Sequence, residues 1–597
     1  GVDVFFVISG YLITGLILRA EAGAGFSLTN FYDRRIRRIL PALFAMLIAA
    51  SVAAFFVLLP DELEQFAKSL VAGVLFYANI LYWLRDTAYF APDAGQNPLL
   101  HVWSLSVEEQ FYLLWPLALV ALSRYRRALP IAIGMLAIAS LAFALTIGDP
   151  NVAFYLLPSR AWQLLIGAFL AVGTLTPPKS VPVRNAVALA GFALIAAAML
   201  WPSGPALYHP RNSLGAAFGA ALFLFAADGG DNVVSALLAT RVPVFIGVIS
   251  YSLYLWHWPA LVFARLYLNR DLTPGETASI LAAVFAISML SWRYIEQPIR
   301  LGRGARASFP AAAVGGAVLL GVAALFALSA GLPGRLPPDV RAIAAQAAAP
   351  MRGQWCNARQ DCVSGDPALP GEAVLWGDSH ARALVPGLEA FAAARHLRLR
   401  QLSRGGCPPL PGLDVTAPDA GPFARCAHDG RDALDRILHT PDVKLVILEA
   451  RWEVYFNEHR IHPDATAAQA FTAALASLLD TLAAHRIAVL VIGNVPIFPD
   501  VAAHCYGRER MFGRDPAKCL GQSRAGALAL LSQSETLIAQ TAAAHHARYH
   551  AATADLCDGT VCHAFWGGQL LYLDNHHLTP AGAALVGQGL MRQLGPK

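Results

Sequence analysis

A serine, an aspartate and a histidine in this chain have the types and surroundings that suit acyl chemistry. Ser379 sits in VLWGDSHARAL, and Asp574 stands three residues before His577 in LDNHHLTPAGA. A serine hydroxyl attacks a carbonyl when a base takes its proton, and an imidazole serves best when a carboxylate holds its second nitrogen. The pattern offers Ser379 as nucleophile, His577 as general base and Asp574 as its orienting partner. His576 competes for the base role, but the spacing from Asp574 favours His577. Asp574, His576 and His577 are also metal-ligand types, yet nothing supplies a further spaced ligand pair, so no metal is expected.

Such groups need elements to hold them. AVLWG (373–377) reads as a strand and HARALVPGLEAFAAARH as the helix after it, which puts Ser379 at a strand-to-helix turn. Gly377 permits a tight backbone there, and helix N-terminal amides can face a developing oxyanion. Thr579 and Pro580 read as N-cap and first residue of a final helix. LRLRQL, VKLVILEA, IAVLVIG and ARYHAAT are further short apolar runs, separated by helical patterns at 380–395, 464–484 and 524–545. That alternation predicts a three-layer α/β (flavodoxin-like) domain with a mostly parallel sheet over 356–597, preceded by a Pro/Gly/Ala-rich linker at 332–355.

The rest of the chain is made for lipid. The mean hydropathy is +0.48 with only 14% charged residues, far from soluble usage. Ten apolar runs read as transmembrane spans, at about 3–19, 39–59, 104–122, 129–147, 160–175, 186–201, 213–227, 243–264, 277–296 and 310–330. The basic clusters RRIRR (34–38), RYRR (124–127) and RLGRGAR (300–306) all fall on one side only if the apolar stretch at 63–84 does not cross fully. It is expected to be re-entrant, interfacial or folded against a multi-pass α-helical bundle, which puts residue 331 outside the cytoplasm. All eight cysteines lie after residue 355, as expected of disulfides in an oxidising compartment. Pairing in sequence order (356 with 362, 407 with 426, 505 with 519, 557 with 562) is one of many connectivities. The net charge of +5 is modest, and no basic and aromatic interleaving points to nucleic acid.

Residues 356–597 resemble the SGNH (GDSL-type) hydrolase family, through the GDS block at Ser379 and the DxxH block at Asp574 and His577. The resemblance implies that SRGGC supplies an oxyanion donor at Gly405 or Gly406. At the place of the asparagine block, VILEARWEVYF (446–456) has no Asn in register, and Asn494 in IGNVP is a substitute candidate. Ionisable groups within spans are costly and so are functional candidates. They lie in GVDVFFVISGYLIT, FYDRRIRRILPAL, HVWSLSVEEQFYLLWP, YSLYLWHWP and SWRYIEQPIR, and include Asp3, His101, Glu108 and His257. These strings, in this order, resemble the acyltransferase family 3 membrane domain. The expected organisation is that domain at 1–308, its usual first helix missing, with one additional transmembrane helix at 309–331. The same resemblance implies acyl transfer from cytoplasmic acyl-CoA, most simply acetyl-CoA as donor substrate with no bound cofactor. Arg35 and Arg38 match its RxxR motif and suit the coenzyme's phosphates. As structural alternatives, His257 would donate to a backbone carbonyl and Glu108 would pair with Arg160.

The expectation is an O-acyltransferase in the bacterial inner membrane with a periplasmic C-terminal domain. Its acceptor would be a hydroxyl of a surface glycan such as lipopolysaccharide O-antigen, peptidoglycan or exopolysaccharide. The competing readings are a membrane-anchored carbohydrate esterase and a transporter, the latter disfavoured by the absence of an internal repeat.

Overall fold

The computed structural model describes every residue except 24, 87–93, 126, 148, 201–209, 302–307, 349–359, 361, 414–425, 458–466 and 596–597. The chain forms two compact units, one drawn mainly from Gly1–Gly331 and the other from Leu332–Lys597.

In the first unit all ten apolar runs fall on helices. Nine described helical spans are long and apolar enough to cross a membrane, among them Val2–Ala22, Leu28–Val57, Val102–Ser123, Arg241–Leu268 and Phe309–Leu328. The run at 213–227 lies in the shorter Pro210–Asp228 helix. The unit is a multi-pass helical membrane bundle. The stretch at 63–84 is split between Pro60–Val74 and Ala78–Asp86, with Phe76 in the left-handed region at φ +55° between them. Neither piece approaches the length of a bilayer-crossing helix, about 20 residues.

The second unit is built on a six-stranded sheet of β1 (Val363–Ser364), β2 (Gly371–Gly377), β3 (Leu397–Ser403), β4 (Val443–Glu449), β5 (Ala488–Ile492) and β6 (Arg548–His550). The order is β1-β3-β2-β4-β5-β6, with every pairing parallel except that of β1 with β3. Its main helices are α1 (Ser379–Ala393), α2 (Cys426–His439), α3 (Trp452–Asn457), α4 (Ala467–Ala484), α5 (Ser532–Ala544) and α6 (Pro580–Leu594). Alternate strand residues feed two cores, as strands covered on both faces require. Ala373, Leu375, Ile447 and Leu490 pack with Leu384 and Leu388 of α1 and Val586 and Leu590 of α6. Val374, Trp376, Val446 and Leu448 face Ile437 of α2, Leu475 of α4 and Ile538 of α5. This is the three-layer α/β arrangement.

Three features depart from the sequence expectation. The edge strand β1 and helix α2 carried no recognised signal, and the helical pattern at 524–545 is broken into Arg524–Ala529 and α5. Disulfides join Cys407 to Cys426, Cys505 to Cys519 and Cys557 to Cys562. Cys362 is also disulfide-bonded, and Cys356, its expected partner, lies outside the described residues.

Helices α1 and α6 bring the two halves of the site together, and they meet through glycine. A Cβ on Gly387 would lie 1.9 Å from the carbonyl oxygen of Ala583, and one on Gly587 would lie 2.4 Å from that of Gly387. Backbone cannot move aside as a flexible side chain can, so Gly387→Ala is expected to cost about 3 kcal/mol, the upper end for overpacking. Thermal unfolding of the purified chain checks this, and an unchanged Tm would show that the two helices part freely.

Candidate functional site

The carboxyl ends of β2, β3 and β4 coincide, because Gly377 is in register with both Ser403 and Glu449. Chain order diverges to either side of β2, and such a switch point is where open α/β sheets place their ligands. A Cβ at Gly377 would sit 1.6 Å from the carbonyl oxygen of Glu449, so only glycine lets the strands approach this closely. Asp378 then caps α1. Its buried carboxylate accepts hydrogen bonds from the backbone amides of His380 (2.8 Å) and Arg451 (2.9 Å) and from the Tyr455 hydroxyl (2.9 Å). Ser379 is thereby the first residue of the helix, at its positive end.

The structure brings Ser379, His577 and Asp574 into one line. Ser379 Oγ lies 2.7 Å from His577 Nε2, and His577 Nδ1 lies 2.6 Å from Asp574 Oδ2. The other oxygen, Asp574 Oδ1, accepts the backbone amides of His576 (2.8 Å) and His577 (2.7 Å). An ionised carboxylate can only accept, so His577 carries its proton on Nδ1 and leaves Nε2 to take the serine proton. Burial alone would raise the Asp574 pKa. The His577 charge and hydrogen bond, with help from His576, instead hold it below the usual carboxylate value. Thr579 accepts from Gly582 N and caps α6 with Pro580 next, anchoring the segment that carries the histidine.

Gly405 and Gly406 occupy the turn directly after β3, where Gly406 has φ +68° and Arg404 N donates to Gly377 O (3.0 Å). The SRGG turn therefore lies against the strand end that leads to Ser379. Asn494 does not replace the asparagine block. Its amide nitrogen donates to Ser534 Oγ (3.1 Å) and Glu535 Oε1 (2.8 Å), and its oxygen accepts from Glu453 N, so it fastens the start of α3. Of the two adjacent histidines, His577 faces the serine. His576 turns to His380, with Nδ1 3.0 Å from His380 Nε2 and the two rings 5° from parallel.

Sequence reasoning overlooked His380 and Glu449. The imidazole of His380 is buried, with Nδ1 3.9 Å from the fully buried Glu449 carboxyl. Burial first, then the charges of His577 and His576, push the His380 pKa well down. Burial, then Asp378 and Glu453, push that of Glu449 well up. The only available signals were the His directly after GDS and a Glu ending an otherwise apolar strand.

The membrane-domain candidates fall into three groups. Asp3 accepts from Arg160 (2.9 Å) and Gln163 (2.7 Å). Glu108 accepts from Ser9 (2.6 Å) and Tyr112, so the expected alternative pairing of Glu108 with Arg160 gives way to Asp3 with Arg160. The Arg35 guanidinium stacks 3.7 Å over the Tyr112 ring, with Arg38 one turn further along the Leu28–Val57 helix. The His101 and His257 rings lie 5.8 Å apart. His101 Nε2 meets Leu255 O (3.1 Å), and His257 Nδ1 meets Tyr254 O (2.7 Å), the backbone contact anticipated for it.

A helical membrane bundle joined to an α/β domain with a serine, histidine and aspartate in line defines the class. Comparison with known families agrees. Residues 1–293 match the model described as an acyltransferase domain, and residues 346–592 match that of an SGNH domain fused to AT3 domains. An acyltransferase domain and an SGNH domain of the kind fused to AT3 domains thus follow one another in this chain. It is 30% identical over 321 residues to the peptidoglycan O-acetyltransferase OatA of Listeria monocytogenes, covering 50% of this chain and 51% of that protein. It is likewise 30% identical over 321 residues to the putative peptidoglycan O-acetyltransferase YrhL of Bacillus subtilis, covering 50% of each. The chain thus spans about half the length of the curated relatives it matches. Among solved structures, the periplasmic domain of a Salmonella ser. Paratyphi A lipopolysaccharide acetyltransferase aligns at 17% identity and a TM-score of 0.33, over 44% of this chain and 99% of that one.

Asp574 binds a proton less readily folded than unfolded. The stability it contributes is therefore present above its ordinary value of 3.8 and is lost as pH falls through its lower folded value. Asp574→Asn is expected to lower the Tm at pH 7, with the deficit shrinking on acidification below the usual carboxylate range. The same change should slow hydrolysis of an aryl acetate by about 10⁴-fold, the cost of losing the correct imidazole tautomer. A deficit independent of pH would show that His577 does not hold this carboxylate ionised.

Proposed function

We propose that this protein is an O-acetyltransferase of the bacterial inner membrane. It takes an acetyl group from cytoplasmic acetyl-CoA, moves it across the bilayer, and delivers it from Ser379 to a hydroxyl of a surface glycan, lipopolysaccharide O-antigen or peptidoglycan. The observation that carries the reading is the hydrogen-bonded line of Ser379, His577 and Asp574 in a domain fused to a membrane acyltransferase domain. The disulfides support a periplasmic place for that domain. The names of the relatives support acetyl as the group and a glycan as the acceptor. Arg35 and Arg38 offer guanidinium groups for the phosphates of the donor.

One serine ester serves both half-reactions. Ser379 Oγ bonds to the acyl carbon as its proton passes to His577 Nε2, and the bond from that carbon to the donor breaks as the imidazole hands the proton to the departing donor. A sugar hydroxyl then attacks the ester, giving its proton to the same imidazole, and the serine oxygen leaves with it. Water in place of the sugar would make the same site a carbohydrate esterase, because the triad itself does not choose the acceptor.

Mass spectrometry of surface polysaccharide from cells producing the protein, compared with Ser379→Ala, separates these outcomes. Loss of acetylation in the variant is expected. Unchanged acetylation would sink the serine relay, and increased acetylation would make the domain an esterase.

A further inference from the structure

The loop that leaves β5 is bonded to both halves of the triad. Residues 493–498 (GNVPIF) are buried except for Ile497, so their polar groups must find partners within the protein. Gly493 N donates to His550 O of β6 (2.9 Å), and Asn494 N and Nδ2 both donate to Glu535 Oε1 of α5 (2.6 and 2.8 Å). These contacts fix the loop to the sheet and to α5.

From that anchor one arm leads to Ser379. Glu535 takes up the amide nitrogen of Asn494, which leaves the oxygen to accept from Glu453 N (3.1 Å) at the start of α3. Ile492 O, at the end of β5, accepts from Trp452 Nε1 (2.7 Å) of the same helix. On either side of this hold, Arg451 N and the Tyr455 hydroxyl donate to the Asp378 carboxylate (2.9 Å each), and Ser379 follows Asp378. The other arm leads to His577. Phe498 N donates to Asn575 O (2.8 Å), and Asn575 Nδ2 donates back to Phe498 O (3.3 Å). Asn575 stands directly after Asp574, inside the turn whose amides at His576 and His577 are gathered by Asp574 Oδ1.

We propose that residues 493–498 brace the two halves of the triad against each other, with Asn494 a positioning residue for Ser379 and Asn575 one for His577. This rests on the reading that Ser379 is acylated. Each asparagine acts through another group, Asn494 through α3 and Asp378, and Asn575 through the turn that Asp574 closes. The contact of α1 with α6 joins the same two segments through their helices, whereas the brace joins them at the turns beside the reacting atoms. The serine proton has to cross from Ser379 Oγ to His577 Nε2, which lie 2.7 Å apart. A shift of about 1 Å in such a pair costs about 10²-fold in rate. The brace therefore governs the speed of attack at each site.

The test uses the full chain in detergent with p-nitrophenyl acetate, and acetyl-Ser379 is identified by mass spectrometry. The burst amplitude counts competent sites, whereas the burst rate constant reports attack at each of them. Asn494→Leu removes the acceptor for Glu453 N and the side-chain donor to Glu535, and is expected to slow the burst by about 10²-fold. Asn575→Ala keeps the backbone bond to Phe498 and loses only the side-chain one, and is expected to slow it by about 10-fold. Asn575→Gln, which keeps an amide donor, should recover part of that loss. Because both asparagines act on one Ser379–His577 pair, the double variant is expected to lose less than the product of the two single effects. A reduced amplitude with an unchanged rate constant would make both asparagines purely structural and overturn the proposal. Fully multiplicative effects in the double variant would overturn the shared brace. Should Asn494→Leu fail to fold, the rate constants of Asn575→Ala and Asn575→Gln, changes in a half-buried turn, decide the matter. Absence of acetyl-Ser379 in the wild type would overturn the acyl-serine reading and the brace's role in it, an outcome distinct from the others.

Discussion

The soluble site depends on one buried carboxylate, that of Asp378. A charge removed from water must be met by donors, and here two backbone amides and a phenol meet it, drawn from α1, from the β4–α3 connection and from α3. The carboxylate therefore clips together two segments that are far apart in the chain. Ser379 follows it directly, so the clip sets both where the nucleophile lies and where the helix amides point. Gly377 makes the clip possible, because a side chain there would drive β2 away from β4. Across the Ser379–His577 hydrogen bond, Asp574 repeats the device. It gathers two amides and an imidazole into one turn. Ser379 and His577 are thus each placed by a nearby carboxylate, one residue before the serine and three before the histidine, and α1 against α6 sets the distance between them.

This locality explains what could be read from sequence. The strand-turn-helix at VLWGDS, the Asp574 to His577 spacing and the Thr579-Pro580 cap each involve neighbours within a few residues, and each has its expected geometry. Strands β2 to β5 and the apolar helices were legible because their periodicity or length exceeds that of chance runs. Elements below that threshold were not. β1 has only two residues, and the break between Arg524–Ala529 and α5 interrupts a pattern that reads as continuous. The stretch at 63–84 shows the same limit, since hydropathy registers apolar content but not the left-handed Phe76 that divides it. Polar contacts distant in sequence were also hidden. Asn494 offers an amide to the eye, but only the fold reveals that Ser534, Glu535 and Glu453 already occupy it. His380 beside Glu449 is another such pair.

In the membrane unit the polar groups form short strings. Tyr112 is the shared member of one of them, since its hydroxyl donates to Glu108 while its ring lies under Arg35. Ser9 donates to the same carboxylate, so the string ties together the Val2–Ala22, Leu28–Val57 and Val102–Ser123 helices. Polar contacts of this kind orient helices where hydrophobic burial has little preference between one apolar face and another. An anion drawn to Arg35 would meet a group already coupled through Tyr112 to Glu108. The structural and functional readings of these residues are therefore linked. The groups that hold the helices in register are the ones that a ligand at Arg35 would disturb.

The choice between transferase and hydrolase turns on access. Ser379 and His577 are each 0% exposed, while the Asp574 side chain keeps 30% and that of His576 15%. What attacks at the serine must therefore reach a buried atom. Water needs no binding surface to make that approach, whereas a sugar hydroxyl gains on water only when the rest of the sugar is held nearby and oriented for attack. Selectivity for the glycan cannot come from the triad, whose geometry is the same for either nucleophile. It has to come from the rim that the acceptor crosses, where the DNHH loop and the SRGG turn flank the end of β2. Under the proposed acyl-serine reading, the surface above the triad decides which nucleophile takes the acyl group.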